Sequence, residues 1–187
     1  LVGSTAGDAV GFGGATALTN GNYVVSSPGW AGTATNAGAA TWANGTTGIV
    51  GVVGLSNSLV GSTADAQVGY GGVTALTNGN YVVNSYHWTG VAANVGAVTW
   101  GNGASGTVGV VSASNSLVGS TAYDEVGRGV TALTNGNYVV ISPNWDATLP
   151  NVGAVTWGNG TTGIVGVVSA SNGWAGCRAG ELWRVAV

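Results

Sequence analysis

Short apolar stretches alternate along the chain with clusters of glycine, asparagine, serine and threonine. The whole pattern returns at a fixed interval: the phrase Leu-Val-Gly-Ser-Thr-Ala begins at Leu1, Leu59 and Leu117, 58 residues apart. Short runs rich in valine, threonine and aromatic side chains, bounded by turn-forming residues, indicate β-strands. A long fixed period indicates one structural unit stacked on copies of itself. The sequence therefore predicts a tandem all-β array.

The repeats divide into residues 1–58, 59–116 and 117–172, and a tail at 173–187 matches no repeat. Four strands are predicted per repeat. In the middle repeat they are 73–76, 81–85, 96–100 and 115–120. The first three recur at 15–18, 23–27 and 38–42, and again at 130–133, 138–142 and 153–157. An Asn-Gly pair separates the first two strands in each repeat and predicts a tight hairpin turn.

Four antiparallel strands in about 58 residues match the size of a propeller blade, since propeller repeats span about 40 to 50 residues plus loops. The predicted fold is therefore a β-propeller with three four-stranded blades per chain. A right-handed β-helix is the alternative. Its coils of roughly 20 residues would require a three-coil super-repeat, and no sub-period of that size is found within a repeat.

The order of motifs also resembles a known family. A Val-Gly-x-Gly segment beginning at Val68 leads into a strand that ends at Leu76. A Tyr-Val-Val-x-Ser strand, a Gly-Ala-Val-x-Trp strand and a closing Leu-Val-Gly follow. This order resembles the FG-GAP type of β-propeller blade found in integrin heads, and tandem repeats of large bacterial surface adhesins. The resemblance implies a propeller and a role at the cell surface.

The resemblance does not extend to a metal site. FG-GAP blades often carry an Asp-rich calcium loop at the first turn, whereas here that turn reads Thr-Asn-Gly-Asn. Calcium requires several carboxylate oxygens among its ligands. We therefore expect no metal ion and no cofactor.

The ends of the repeats suggest self-association. Residues 1–4 correspond to a fourth strand without its three partners, and the third repeat continues after Asn172 without a Leu-Val-Gly-Ser phrase. Three blades are also fewer than the roughly four to eight that close a propeller ring. The predicted assembly is a homodimer that forms one six-bladed ring, with each N-terminal strand completing a blade of its partner.

Charge and composition narrow the functional classes. The chain has no lysine and only three arginines, so it cannot form the basic surface that nucleic-acid binding requires. No apolar run is long enough to predict membrane insertion. The sole cysteine, Cys177, cannot form an intramolecular disulfide. Scarce lysine and glutamate favour an extracellular or cell-surface location. The resemblance to bacterial adhesin repeats implies that this location is in a bacterium.

Few residues are candidates for chemistry. His87 is the sole histidine, and it stands where the other repeats have Gly29 and Asn144. Ordinary sequence variation between repeats at a loop position explains this histidine better than general-base catalysis. The acids are thinly spread, and Asp8 and Asp124 align in the repeat. Capping of turns, or a solvated position in a loop, is the predicted role for these acids. No enzymatic activity is expected.

Tryptophans form two sets. Trp42, Trp100 and Trp157 each end a strand, and packing between neighbouring blades is their predicted role. Trp30, Trp88 and Trp145 follow the second strand in a variable loop. Recurring loop aromatics beside polar groups such as Asp146 and His87 suit stacking against sugars, while pinning of the loop onto the blade is the competing role.

The predicted function is therefore a non-catalytic repeat module of a bacterial surface or secreted adhesin-like protein, structural or protein-binding. The alternative is a lectin-like module with one weak sugar site per blade, which gains strength from multivalency. Its site residues would be Trp30, Trp88, Trp145, His87 and Asp146. The predicted partners are a second copy of the chain and a glycan or host surface protein.

Overall fold

A computed structural model describes residues 1–175 of the chain. These residues form fourteen β-strands in three sheets. No helix in this part of the chain is long and apolar enough to cross a membrane. The all-β prediction is confirmed, and each repeat contributes the core of one sheet.

Each sheet begins with three antiparallel strands joined as a meander. These strands are β1 (Ala15–Ala17), β2 (Tyr23–Ser27) and β3 (Ala39–Ala43) in the first repeat, β5 (Val73–Ala75), β6 (Tyr81–Ser85) and β7 (Ala97–Gly101) in the second, and β10 (Gly129–Ala132), β11 (Tyr138–Ser142) and β12 (Ala154–Gly158) in the third. The first three strands predicted in every repeat are thus confirmed to within a residue or two.

The Asn-Gly hairpin turn forms as predicted. In the first repeat the amide of Leu18 donates to the carbonyl of Asn22 across 2.8 Å, and the Asn20 side chain accepts from the Asn22 amide. Gly21 has a φ of 88°, a left-handed conformation that glycine adopts without a Cβ clash. The other two repeats form the same turn, which fixes the register of each hairpin.

The fourth strand of a sheet comes from the start of the next repeat. Strand β4 (Leu59–Val60) pairs antiparallel with β3, and β9 (Leu117–Val118) pairs antiparallel with β7. In the third sheet β14 (Trp174–Ala175) pairs with β12 in the same register. The chain therefore fills that position itself. The predicted exchange of N-terminal strands assumed that the position was empty, and the homodimer remains an untested prediction.

The prediction of four strands per blade needs a correction, because a fifth strand joins the first two sheets. Strand β8 (Gly109–Val110) pairs parallel with β4, and β13 (Gly166–Val167) pairs parallel with β9. An isolated parallel bridge between Val2 and Val52 repeats this contact at the N-terminal end. Each Leu-Val strand thus lies between strands of two different repeats. Successive repeats are interlocked through shared sheets, and closure into a propeller ring remains a prediction.

The cores lie between neighbouring sheets. Successive residues of a strand point to opposite faces. On β6, Tyr81 and Val83 pack in the cluster shared with the first repeat, and Val82 packs in the cluster shared with the third. All five residues of β6 are consequently buried. On β11 only alternate residues are buried, because no described strand covers its second face.

A carbonyl clamp joins each repeat to the next. The carbonyl oxygen of Gly103 accepts hydrogen bonds from Asn20 Nδ2 (2.8 Å), Asn22 Nδ2 (2.8 Å) and Trp42 Nε1 (2.9 Å) of the preceding repeat. The carbonyl of Gly160 accepts the same three bonds from Asn78, Asn80 and Trp100. Packing between repeats, predicted for the strand-end tryptophans, is thereby confirmed for Trp42 and Trp100.

Candidate functional site

The three loop tryptophans are buried. Trp30, Trp88 and Trp145 are 3%, 7% and 5% exposed. Each closes a tight turn after the second strand: in the first repeat the Trp30 amide donates to the Ser27 carbonyl, and the Trp30 carbonyl accepts from Gly38. Their indole N–H groups have no acceptor within the described residues. These surroundings support the pinning role, because a sugar can stack only on an exposed ring face.

Close glycine contacts explain part of this burial. A Cβ atom at Gly32 would overlap the Trp30 ring, and one at Gly90 would overlap the Trp88 ring. Trp88 also forms one wall of a pocket of about 370 Å³ between the second and third repeats, with Val91, Val118 and Val167 among the other walls. Trp88 contributes to this pocket as part of an apolar lining.

The two aligned aspartates hold the loops that precede the first strand. Asp8 accepts backbone N–H groups of Ser4 (2.7 Å), Thr5 (2.9 Å) and Ala31 (3.0 Å). Burial acts to raise the pKa of Asp8, but these three amides hold it below its usual value of 3.8. Asp8 therefore stabilises the loop as a carboxylate, and the predicted turn-capping role is confirmed.

Asp124 and Asp146 form the equivalent loop of the third repeat. Asp124 accepts the amides of Ser120 (2.8 Å) and Thr121 (2.8 Å), and also that of Asp146 (2.9 Å). The Asp146 side chain in turn accepts the Asn151 amide at 2.6 Å. Asp146, predicted as part of a sugar site, is thus committed to bonds within its own loop.

His87 lies in a compact aromatic cluster, which we define as Tyr70, Tyr86 and His87. The His87 ring stacks on Tyr70 with centroids 4.6 Å apart and planes 25° apart, and it meets the Tyr86 ring edge-on at 4.5 Å. The two tyrosines meet edge-on at 5.6 Å. His87 Nδ1 lies 2.7 Å from Gln67 Oε1. Tyr70 is 46% exposed, so the cluster offers a ring face to ligands.

Polar groups of the third repeat surround the aromatic cluster. The Arg128 guanidinium lies 5.6 Å from the Tyr86 ring centroid, a cation–π distance. Arg128 also pairs with Glu125 at 3.3 Å, and Asn144 Nδ2 donates to Glu125 at 2.6 Å. Burial and the neighbouring Tyr70 raise the pKa of Tyr86, so its hydroxyl remains a hydrogen-bond donor.

Among the residues of the aromatic cluster and the polar groups around it, only His87 is a predicted site residue. A sequence signal for the others does exist. Where the other repeats have proline, Pro28 and Pro143, the middle repeat has Tyr86, directly before His87. Two adjacent departures from the repeat pattern mark this loop. No group of three or more histidine, cysteine or acidic residues within residues 1–175 could hold a metal ion.

The spacing of these features matches a defined family of repeats. Three tandem copies of the repeat of unknown function DUF5650 match residues 17–70, 75–128 and 132–183. The chain belongs to this repeat family. Among curated protein sequences none matches the chain. Each family copy begins at the last residue of the first strand of a sheet and runs past the Leu-Val strand of the following repeat, or past β14 in the third copy. One copy of the DUF5650 repeat thus includes the second and third strands of the meander and the strand that closes its sheet.

Proposed function

We propose that the chain is a non-catalytic module of a bacterial surface or secreted adhesin-like protein, built from propeller-type blades, with a structural or protein-binding role. One observation carries the proposal: each Leu-Val strand pairs with strands of two different repeats. A chain joined in this way resists local opening, because separating two repeats breaks both a sheet and a carbonyl clamp. Such continuity suits a structural role.

Limited proteolysis tests this role. Leu59 and Leu117, at the boundaries between repeats, are buried in shared sheets, so thermolysin is expected not to cut at these boundaries under native conditions. Electrophoresis and mass spectrometry of timed samples provide the measurement. Stable fragments of about one repeat would show that the repeats are independent domains joined by open linkers, which contradicts the proposal.

A second candidate function is lectin-like binding of a glycan at the aromatic cluster. The half-exposed Tyr70 ring, with Gln67, Glu125 and Arg128 around it, combines a flat apolar face with hydrogen-bonding groups. Such a combination suits a sugar ring. The cluster is formed by side chains that the first repeat lacks, which favours one site per chain over one site in each blade.

A glycan array followed by titration calorimetry tests this candidate. A bound glycan is expected to lose affinity at least about tenfold with Tyr70→Ala, which corresponds to about 1.4 kcal/mol. Phe12→Ala is the matched control, since Phe12 occupies the same place in the first repeat, is 80% exposed and has no such cluster beside it. Equal binding by the wild type and Tyr70→Ala would exclude the cluster as the glycan site.

A further inference from the structure

We propose that the third repeat binds the first repeat of a second copy of this chain, head to tail, through an open face. The open face consists of Val139, Ile141, Val155 and Trp157 on β11 and β12, together with the amides of Asn135 and Asn137 at one edge. Its occupant is the Asn44–Thr47 turn and the uncovered side of β2 in another copy. This contact is a binding surface separate from the aromatic cluster.

The open face repeats a surface that is used twice inside the chain. In both internal contacts two asparagine amides and one indole N–H converge on a glycine carbonyl, at 2.8 to 2.9 Å. The third repeat contains the same donors in Asn135, Asn137 and Trp157. Within residues 1–175 these three side chains donate to no acceptor. The donor half of a third clamp is therefore present.

The acceptor half lies at the other end of the molecule. Gly45 occupies the place of Gly103 and Gly160, and its amide is held by the Asn22 side chain at 3.0 Å, as theirs are by Asn80 and Asn137. The turn therefore has the same local geometry in all three repeats. Gly103 and Gly160 are buried under the preceding repeat, whereas Gly45 is exposed. Its carbonyl accepts no hydrogen bond within the described residues.

The apolar part of the open face also has buried counterparts. Val155 is 42% exposed, whereas Val98 and Ala40 at the matching positions are 0% and 2% exposed. Ile141 is 41% exposed and its counterpart Asn84 only 5%, and Trp157 is 50% exposed. Adjacent exposed side chains of this size indicate a surface that is covered by a partner.

The seat for Trp157 exists as well. In the internal contacts the Trp42 side chain lies against Gly106 and the Trp100 side chain against Gly163, so close that a Cβ atom on these glycines would be 2.8 and 2.7 Å from the tryptophan Cβ. Gly48 has the same place in the first repeat and is open to solvent, with only the Tyr23 hydroxyl within 4 Å. Trp157 of another copy fits this space.

A second copy of the chain is the proposed occupant, because both halves of the contact lie on one chain and no charged side chain is among the residues of either half. Such a contact joins different surfaces of two copies, so it either closes into a ring or continues as an open array. It needs no exchange of strands, since β14 already fills the edge of β12. With no ion pair in the contact, association is expected to be insensitive to salt.

Light scattering of the full chain over a concentration series tests the proposal. The mass is expected to rise above that of one chain, to twice that mass for a closed ring or further for an open array. Trp157→Ala removes the indole donor and the ring that would pack against Gly48 of the second copy. Gly48→Asn blocks the seat with a residue that tolerates the φ of 70° at this position. Each variant alone is expected to bind itself at least about tenfold more weakly. Val108→Ala changes an exposed side chain of the second repeat, outside both halves, and is expected to associate like the wild type.

A mixture of the two variants gives the sharpest outcome. Trp157→Ala retains an intact first repeat and Gly48→Asn an intact third repeat, so the mixture is expected to form a one-to-one complex that does not grow. Circular dichroism confirms that each variant is folded. A monomeric wild type at about 100 µM, association that neither variant weakens, or a mixture without the one-to-one complex would each overturn the proposal. Association of Trp157→Ala with itself at wild-type strength would place the contact on another surface.

Discussion

Replacing Trp100 by alanine is expected to lower the free energy of unfolding by about 3 kcal/mol, the usual range for removing a packed tryptophan. The ring packs against the core between the second and third repeats, and its Nε1 donates to the Gly160 carbonyl at 2.9 Å. Its loss leaves a cavity at the contact and leaves a buried carbonyl with one donor fewer. Urea denaturation followed by far-UV circular dichroism measures the change.

Trp157→Ala is the matched control for this experiment. Trp157 ends the equivalent strand, but it is 50% exposed and contacts no following repeat within residues 1–175. At a protein concentration where the chain is monomeric, its replacement is expected to cost less than about 1 kcal/mol. Equal losses for the two variants would show that the tryptophan stabilises its own strand, and not the contact between repeats.

Gly103→Ala is expected to have the second large effect, a loss of several kcal/mol or a failure to fold. A Cβ atom at this position would overlap the carbonyl oxygen of Gly79, which belongs to the backbone and cannot rotate away. The displaced turn would also move the Gly103 carbonyl out of reach of Asn20, Asn22 and Trp42. Thermal unfolding measures the loss, and soluble yield reports a failure to fold.

Gly54→Ala controls for the general effect of a methyl group on a loop glycine. A Cβ atom at Gly54 meets nothing within 4 Å, and the backbone there does not have a positive φ. Its replacement is expected to change stability by less than about 0.5 kcal/mol, with a small gain from a less flexible unfolded chain. A mild effect of Gly103→Ala, similar to that of Gly54→Ala, would contradict the close packing of the Gly103 turn.

Much of the fold could be predicted from the sequence because its signals are local. Asn-Gly pairs define the hairpins, and a tyrosine followed by two adjacent valines marks β2, β6 and β11. The Leu-Val phrase was also correctly placed as the fourth strand of the preceding sheet. These features depend on neighbours in sequence, or on a repeat that can be counted along the chain.

The fifth strands could not be predicted in the same way. Strands β8 and β13 are two residues long and lie in glycine- and valine-rich segments without alternation. They form only because a Leu-Val strand lies beside them with a free edge. Pairing of this kind is a property of the assembled array. For the same reason the pairing of Trp174–Ala175 with β12 could not be predicted from the repeat pattern.

The candidate site, like the fold, could be predicted from the sequence only in part. His87 is a predicted site residue, but the sugar-stacking alternative relies on the loop tryptophans, which the structure buries. Burial of Trp88 depends on the closeness of Gly90, two residues later, and on the neighbouring repeat. Likewise, Arg128 reaches Tyr86 across the boundary between two repeats. Contacts between different loops cannot be deduced from the composition of either loop.

Differential scanning calorimetry of the full chain tests most directly the central claim that successive repeats share their sheets. When a chain unfolds as one cooperative unit, its calorimetric enthalpy equals the van't Hoff enthalpy. We expect the ratio of calorimetric to van't Hoff enthalpy to be close to 1 for this chain at a concentration where it is monomeric. A ratio near 3, one unit for each repeat, would show that the repeats unfold independently and would contradict the interlocked array.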